Sequence, residues 1–387
     1  MSGARADATR PLEHIRVLDL SRMYPGAYCT SLLADFGADV IKIEAPGAGD
    51  GLRFLTIDDF PATHIALNRG KRSVTLNLRS ARAGDVLRRL VAQADVLVES
   101  QRPGSLEQAG LGFDSLREIN QGLIWCSLTG FGPDGPLATA PGHDMTYLGQ
   151  SGLLSTLTVD DRPPVPGSTI SLGLTGVMAA FGIVSAVAGR ARTGIGCRVD
   201  ATMADASTWV IADMLAQAAN RQAAAPWGSL AARANYRCAD GKWITCTATE
   251  PRAWAKLVDA LGAPDLADYR VGVDDATAMQ RLTEIFASQP AAHWVANPGL
   301  AGGIGLVADA SDVLTDPQTI HRGSIISLAD DGPRVFANPL RIDLASGDQA
   351  SHARSAPPDV GQHTDLVLTA AGFTQTEIET LRKQEVI

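Results

Sequence analysis

Residues 14–44, HIRVLDLSRMYPGAYCTSLLADFGADVIKIE, decide how the rest of the chain is read. His14–Leu20 is an apolar run of strand length. Pro25 stands where a helix can begin, because the first turn of a helix has no use for the N–H that proline lacks. From Ala27 to Phe36 apolar residues recur at helical spacing, and Gly37 closes the segment. Asp39–Glu44, DVIKIE, reads as the next strand. Strand, crossover helix and strand make a βαβ unit, with parallel strands and a right-handed crossover.

The pattern continues outward from that unit. Ser73–Leu78 is a strand, Ala81–Gln93 a helix, and Asp95–Glu99 and Leu123–Leu128 two more strands. Strands separated by helices of this length specify an α/β class with an open parallel sheet. The first strand-to-helix turn, SRMYPGA, is not GxGxxG, and there is no Walker A sequence. The sheet therefore gives no support for a dinucleotide or a P-loop nucleotide.

Residues 130–155, GFGPDGPLATAPGHDMTYLGQSGLLS, form a long turn-rich segment of the kind that carries function. No charge occurs from Pro163 to Gly189, and the stretch GVMAAFGIVSAVAG places a helix over Leu172–Ala191. A helix buried in a large soluble core accounts for these residues, and no membrane span is expected. A strand CRVDATM, a helix over Ala204–Ala219 and an Ala/Gln-rich linker at 216–226 follow. YRCADGKWITCTATE reads as a hairpin about Asp240-Gly241, followed by two amphipathic helices, and the tail ends in a helix over Thr374–Lys383.

The chain has 387 residues, a prior of two to three domains, with 45% apolar and 19% charged residues, an ordinary globular composition. A net charge of −9 argues against a general nucleic-acid binder. The five cysteines, Cys29, Cys126, Cys197, Cys238 and Cys246, include no CxxC pair, so neither a zinc ribbon nor a dithiol motif is readable. No metal site is expected. The first residues, MSGARADATRPLE, carry charge and no apolar run, so a secretory signal is not expected. Free thiols and no signal give a cytoplasmic expectation.

The stretches VLDLSRMYPGAYCTSLLADFGADVIKIEAPGAGD, LNRGKRSVTLNL, ADVLVESQRPGSLEQAGLG, SLTGFGPDGP, GHDMTYLGQSG, RTGIGCRVDATMADAS, YRCADGKWITCTATEP and PPDVGQHTDLVL occur in that order. In order and spacing the chain resembles the family III CoA-transferases, the CaiB/BaiF superfamily, and its motifs are most similar to those of the α-methylacyl-CoA racemases. The resemblance implies a Rossmann-like large domain made of both chain ends, residues 1–220 and 336–387, with a smaller α+β domain inserted over 221–335. It also implies an interlocked homodimer and an acyl-CoA thioester as substrate, with no tightly bound cofactor beyond the coenzyme A of that substrate.

A nucleotide with a diphosphate and a further phosphate requires cations. Lys42, Arg69, Lys71, Arg72 and Arg102 are the expected CoA contacts, near strand ends where an α/β sheet docks its ligands. His143, in GHD followed by Tyr147, matches the racemase pattern. An imidazole titrates near neutrality and suits removal of a thioester α-proton. The resemblance gives Glu250, in Glu250-Pro251, the task of orienting that imidazole, and Tyr147 a contact with the ligand.

One expected residue is missing. Both branches of the family carry an Asp just before the long glycine-rich helix, and in this chain the position falls on Ser171, or on Leu172 if the register shifts by one. No carboxylate lies between Pro163 and Gly189; Asp160 and Asp161 are the nearest upstream. A serine cannot form the acyl anhydride of the transferases and is a weak base without an activating partner. The expected function is therefore an acyl-CoA racemase, epimerase or isomerase that abstracts the α-proton with His143. The alternatives are a family III CoA-transferase moving CoA between carboxylic acids, and a non-catalytic CoA-thioester binding paralogue. If the position is vacant, Ser171→Asp or Leu172→Asp should supply the absent carboxylate.

Overall fold

A six-stranded parallel sheet organises the computed structural model, which describes residues 10–158, 162–220, 230–269, 273–329, 332–344 and 355–387. Its strands are β1 (Arg16–Leu20), β2 (Asp39–Glu44), β3 (Arg72–Thr75), β4 (Val96–Glu99), β5 (Ile124–Thr129) and β6 (Arg198–Thr202). Their spatial order is β3-β2-β1-β4-β5-β6 with every neighbour parallel. This doubly wound order places a topological switch between β1 and β4, and ligands of such sheets enter beyond the carboxyl ends of the strands at that point.

The helices of this part are α1 (Tyr24–Asp35), α2 (Ala62–Asn68), α3 (Ala83–Val91), α4 (Ser105–Gln108), α5 (Phe113–Ile119), α6 (Asp144–Gln150), α7 (Ile170–Thr193), α8 (Met203–Trp209) and α9 (Ala212–Ala219). The last two replace the single helix expected over 204–219, because the chain turns at Val210 and Ile211, whose N–H groups return to Ser207 and Thr208.

The chain divides into two units, residues 1–219 with 323–387, and residues 220–322. The smaller unit holds an antiparallel sheet of β7 (Arg233–Arg237), β8 (Trp243–Thr247) and β9 (Ile304–Leu306). With it go α10 (Pro251–Leu261), α11 (Asp275–Phe286), α12 (Ala291–Val295), α13 (Ala310–Thr315) and α14 (Pro317–His321). The β7–β8 turn needs Gly241, whose φ of +80° is costly for any residue with a Cβ. Tyr236, Ile244, Trp254, Leu282 and Phe286 fill this unit's own core.

The larger unit resumes at Gly323, whereas the return was expected at 336. The hairpin of β10 (Ile325–Ser327) and β11 (Arg334–Phe336) buries Ile326 and Val335 against Ile65 and Ala66 of α2, which assigns it to the larger unit. Two helices end the chain, α15 (Thr364–Ala370) and α16 (Gln375–Lys383). Thr374 and Glu377 cap α16 reciprocally, each accepting from the other's backbone N–H.

Strands buried on both faces are apolar over most of their length, and β1 divides its apolar side chains between the two faces. Leu18 and Leu20 join Ile41, Leu97 and Trp125 on one face, with Leu368 and Ile378 from the end of the chain. Val17 joins Val40, Val96 and Ile124 on the other, under Cys29 and Leu33 of α1 and Ala179 and Ile183 of α7.

The helix α7 departs from its expected burial. Its inner stripe is Ser171, Thr175, Gly176, Ala179, Ala180 and Ile183. A Cβ on Gly176 would lie 2.5 Å from the Tyr28 Cβ and 2.9 Å from the Pro25 carbonyl, so glycine is what lets α1 and α7 approach. The opposite stripe of Val177, Phe181 and Val184 is exposed, Phe181 to 70%. The chain's own core thus covers one face of this helix only. Among the described residues α7 is the one helix long and apolar enough to cross a bilayer.

Candidate functional site

The turn after β1 lies at the switch point. Met23 has φ +62° and ψ −151°, a conformation that glycine tolerates and other residues rarely adopt. Neighbours from two other turns hold it there. The Met23 N–H donates to Asp50 Oδ2 at 3.3 Å, and the Arg22 N–H donates to Ser100 Oγ at 2.9 Å. Gln101 Nε2 donates to the Leu20 carbonyl at 3.1 Å, which ties the β4 turn to β1. A backbone strained and pinned at the carboxyl edge of a doubly wound sheet is a prepared binding edge.

Beneath that edge lies a buried ionic network. Asp19 is fully buried and faces Lys42 Nζ at 3.4 Å and Lys71 Nζ at 3.4 Å. Lys42 also meets Asp50 at 3.2 Å, and Lys71 donates to Thr30 Oγ1 at 2.7 Å and Asn68 Oδ1 at 2.9 Å. Burial pushes the Asp19 carboxyl up, but the two ammonium groups with the Ser21 and Thr30 hydroxyls outweigh it and leave it below its ordinary value. Burial pushes Lys71 down to about 8. Lys42, drawn by both Asp19 and Asp50, ends above its ordinary value despite burial. Arg69 is buried against Asp35 at 2.5 Å and also donates to the Ala66 carbonyl.

The five expected phosphate contacts therefore separate. Lys42, Arg69 and Lys71 are interior cations with interior partners, because acidic residues distant in sequence meet them in the fold. Arg72 opens β3 at the amino edge of the sheet, where it forks onto Asp39, so it sits at the end opposite the binding edge. Arg102 is exposed at the carboxyl edge beside a cleft lined by Glu99, Ser127, Thr129, Pro133 and Arg198. Burial pushes the Glu99 carboxyl up, against hydrogen bonds from Ser127 and the Gln101 N–H.

At the same edge α6 and α7 start side by side. His143 is the residue before α6; it is exposed, and its backbone N–H donates to Thr146 Oγ1 at 3.4 Å. Tyr147, the expected ligand contact, is engaged within the loop itself. Its hydroxyl donates to the Gly142 carbonyl at 2.8 Å, and its ring packs edge-on against Phe131 at 5.1 Å. A Cβ on Gly130 or on Gly142 would come within 2.7 Å of the Tyr147 ring. Tyr147 thus clamps the loop that presents His143.

Ser171 is buried, and a carboxylate does stand beside it. Asp144 Oδ1 accepts the Ser171 hydroxyl at 2.7 Å, the Ser171 N–H at 2.8 Å and the Leu172 N–H at 3.4 Å. The first turn of α7 is otherwise open, and this carboxylate closes it. The group comes from the start of α6 and not from the segment that leads into α7. Its one signal was the Asp following His143 in GHD. Asp160 and Asp161 lie outside the described residues.

Glu250 lies in the smaller unit, where it opens α10 and its carbonyl receives the Trp254 N–H at 2.9 Å. With Arg252, Lys256 and the Gly299–Gly303 loop it lines a cleft of that unit. Among the described residues no group of three His, Cys, Asp or Glu side chains is placed to hold a metal ion.

Comparison with known proteins adds a family. Residues 12–364 match the model of CoA-transferase family III. The chain is 31% identical to the human alpha-methylacyl-CoA racemase over 392 residues, covering 97% of each. It is also 31% identical to the acetyl-CoA:oxalate CoA-transferase of Acetobacter aceti over 369 residues, covering 91% of this chain and 93% of that one. A CAIB/BAIF family protein from Brucella suis has a similar crystal structure, with a TM-score of 0.82 and 30% identity over 94% of this chain and 100% of that chain.

Proposed function

The chain belongs to CoA-transferase family III, and from that premise we propose that it is an acyl-CoA racemase, epimerase or isomerase that moves the α-proton of a CoA thioester with His143. The observation that carries this reading is His143, an exposed residue on the loop that Tyr147 clamps at the carboxyl edge of the sheet. A neutral imidazole takes a proton from the carbon next to the thioester carbonyl, and the electrons move onto the carbonyl oxygen as an enolate. Oriented donors must stabilise that oxygen. Arg102, exposed beside the cleft at the same edge, is the cation offered to a CoA phosphate.

A second reading, CoA transfer between carboxylic acids, is supported by the carboxylate beside Ser171, because a carboxylate is the kind of nucleophile that forms an acyl anhydride. We also propose that a second copy of the chain covers the apolar stripe of Val177, Phe181 and Val184 on α7.

Acetyl-CoA should raise the melting temperature, since a ligand of the folded state alone stabilises it by RT ln(1 + [L]/Kd). Arg102→Ala should weaken that rise. With a 2-methylacyl-CoA, His143→Ala should slow α-proton exchange at least about a hundredfold. Exchange that is unchanged in His143→Ala would contradict the reading, as would the lack of any shift with millimolar CoA esters.

A further inference from the structure

We propose that Asp144 is the second proton carrier of the site, working opposite His143 on the α-carbon of the bound thioester. The inference rests on the α-proton reading above and deepens it by assigning a residue to the other face.

Inversion at a carbon acid needs two proton carriers, because the enolate is planar and one group reaches only one of its faces. The first carrier is His143. The next residue in the chain is a carboxylate whose two oxygens are used differently. Oδ1 takes all three donations from the start of α7. Oδ2 receives no donor among the described residues, and Asp144 is only partly buried. A carboxylate anchored through one oxygen and open at the other is positioned as a base rather than exhausted as a cap. Ser171 is what makes the anchoring complete. Its small, buried side chain leaves room for Asp144 to reach the α7 backbone, and its hydroxyl adds a donor there. An aspartate at 171 would set a second carboxylate within hydrogen-bonding distance of the first. Like charges so close cannot both ionise comfortably. Ser171→Asp is therefore expected to lose stability and gain nothing, contrary to the expectation drawn from a vacant position.

The step balances without a further reactant. Oδ2 of the ionised Asp144 takes the α-proton, and the C–H electrons pass into the enolate. The imidazolium of His143 returns a proton to the opposite face, and the enolate electrons form the new C–H bond. The thioester leaves inverted, with Asp144 protonated and His143 neutral. Acting on the other enantiomer, the pair runs the same transfer in reverse.

The test compares wild type and Asp144→Asn on each enantiomer of a 2-methylacyl-CoA in deuterium oxide. Asparagine keeps an oxygen for the Ser171 and Leu172 donors and removes the charge, so a purely capping role survives the change. The expected result is a loss of inversion of at least about a hundredfold. Thioester affinity should stay within about threefold, and deuterium should still enter from the one face that His143 serves. Inversion within about threefold of wild type would make Asp144 a cap and overturn the proposal. If Asp144→Asn does not fold, Asp144→Ser keeps a capping oxygen and carries the same thresholds. A wild type that binds the thioester but neither exchanges nor inverts overturns the α-proton reading, and the proposal falls with it. Inversion that does not depend on Asp144, in a wild type that exchanges the α-proton, overturns the proposal alone.

Discussion

His64 is the plainest residue-scale consequence of the buried network. It lies beneath the binding edge, with Nδ1 3.0 Å from the Asn68 amide and Nε2 buried without a partner among the described residues. Burial first, then the Arg53 charge, push its imidazole down to about 4. The unfolded chain takes up this proton below about 6.5, while the folded protein refuses it until about 4. Stability from this group is therefore present at neutral pH and is lost as pH falls through that window. The loss should amount to about 3 kcal/mol. Urea unfolding at pH 7 and pH 4.5 should show a smaller loss for His64→Asn than for wild type; equal losses would contradict the assignment. The same network shows what reading residues singly leaves out. Arg69 and Lys71 flank a glycine before β3 and Lys42 lies in β2, and sequence alone gives no sign that Asp19, Asp35 and Asp50 meet them. Arg102 needed no such partner and is where an external anion can reach it.

At the scale of elements, α7 shows what a pattern carries and what it leaves open. Its length and its approximate ends follow from the uncharged run of small and apolar residues that precedes Arg190. Which face the rest of the chain covers does not, because both faces are apolar. The inner stripe is selected by close approach to α1 at Gly176, a contact between residues far apart in sequence. The outer stripe of Val177, Phe181 and Val184 repeats at i, i+4 and i+7, as a helix face offered to another surface does. Phe181→Glu should turn a dimer into a monomer in sedimentation equilibrium while leaving the helical circular dichroism in place. A wild type that sediments as a monomer at micromolar concentration would contradict the second-copy proposal. The pairing of α6 with α7 through Asp144 is a further contact of this kind. GHD was legible as a motif, but the distance from Asp144 to Ser171 was not, since 27 residues of chain separate them.

The whole molecule follows from its first βαβ unit more than from any other segment. Once β1, α1 and β2 are parallel and right-handed, later strands add on either side, giving the order β3-β2-β1-β4-β5-β6 and a binding edge at the switch point. The inserted unit was legible as a change from alternating strands and helices to a hairpin and amphipathic helices. Its second boundary was not, because the β10–β11 hairpin joins the larger unit through packing on α2, a contact between residues far apart in sequence. The edge presents the features that α-proton chemistry on a thioester requires: an exposed imidazole, a neighbouring anchored carboxylate and an exposed arginine. The central claim is that the α-carbon is the reacting atom. The most direct measurement incubates one enantiomer of a 2-methylacyl-CoA, together with a free carboxylic acid, with the wild-type protein in deuterium oxide. The α-carbon is then followed by mass spectrometry and chiral separation. The account predicts the opposite enantiomer carrying one deuterium at the α-carbon, with CoA still on the original acid. Undeuterated thioester of unchanged configuration, with CoA moved to the second acid, would contradict it.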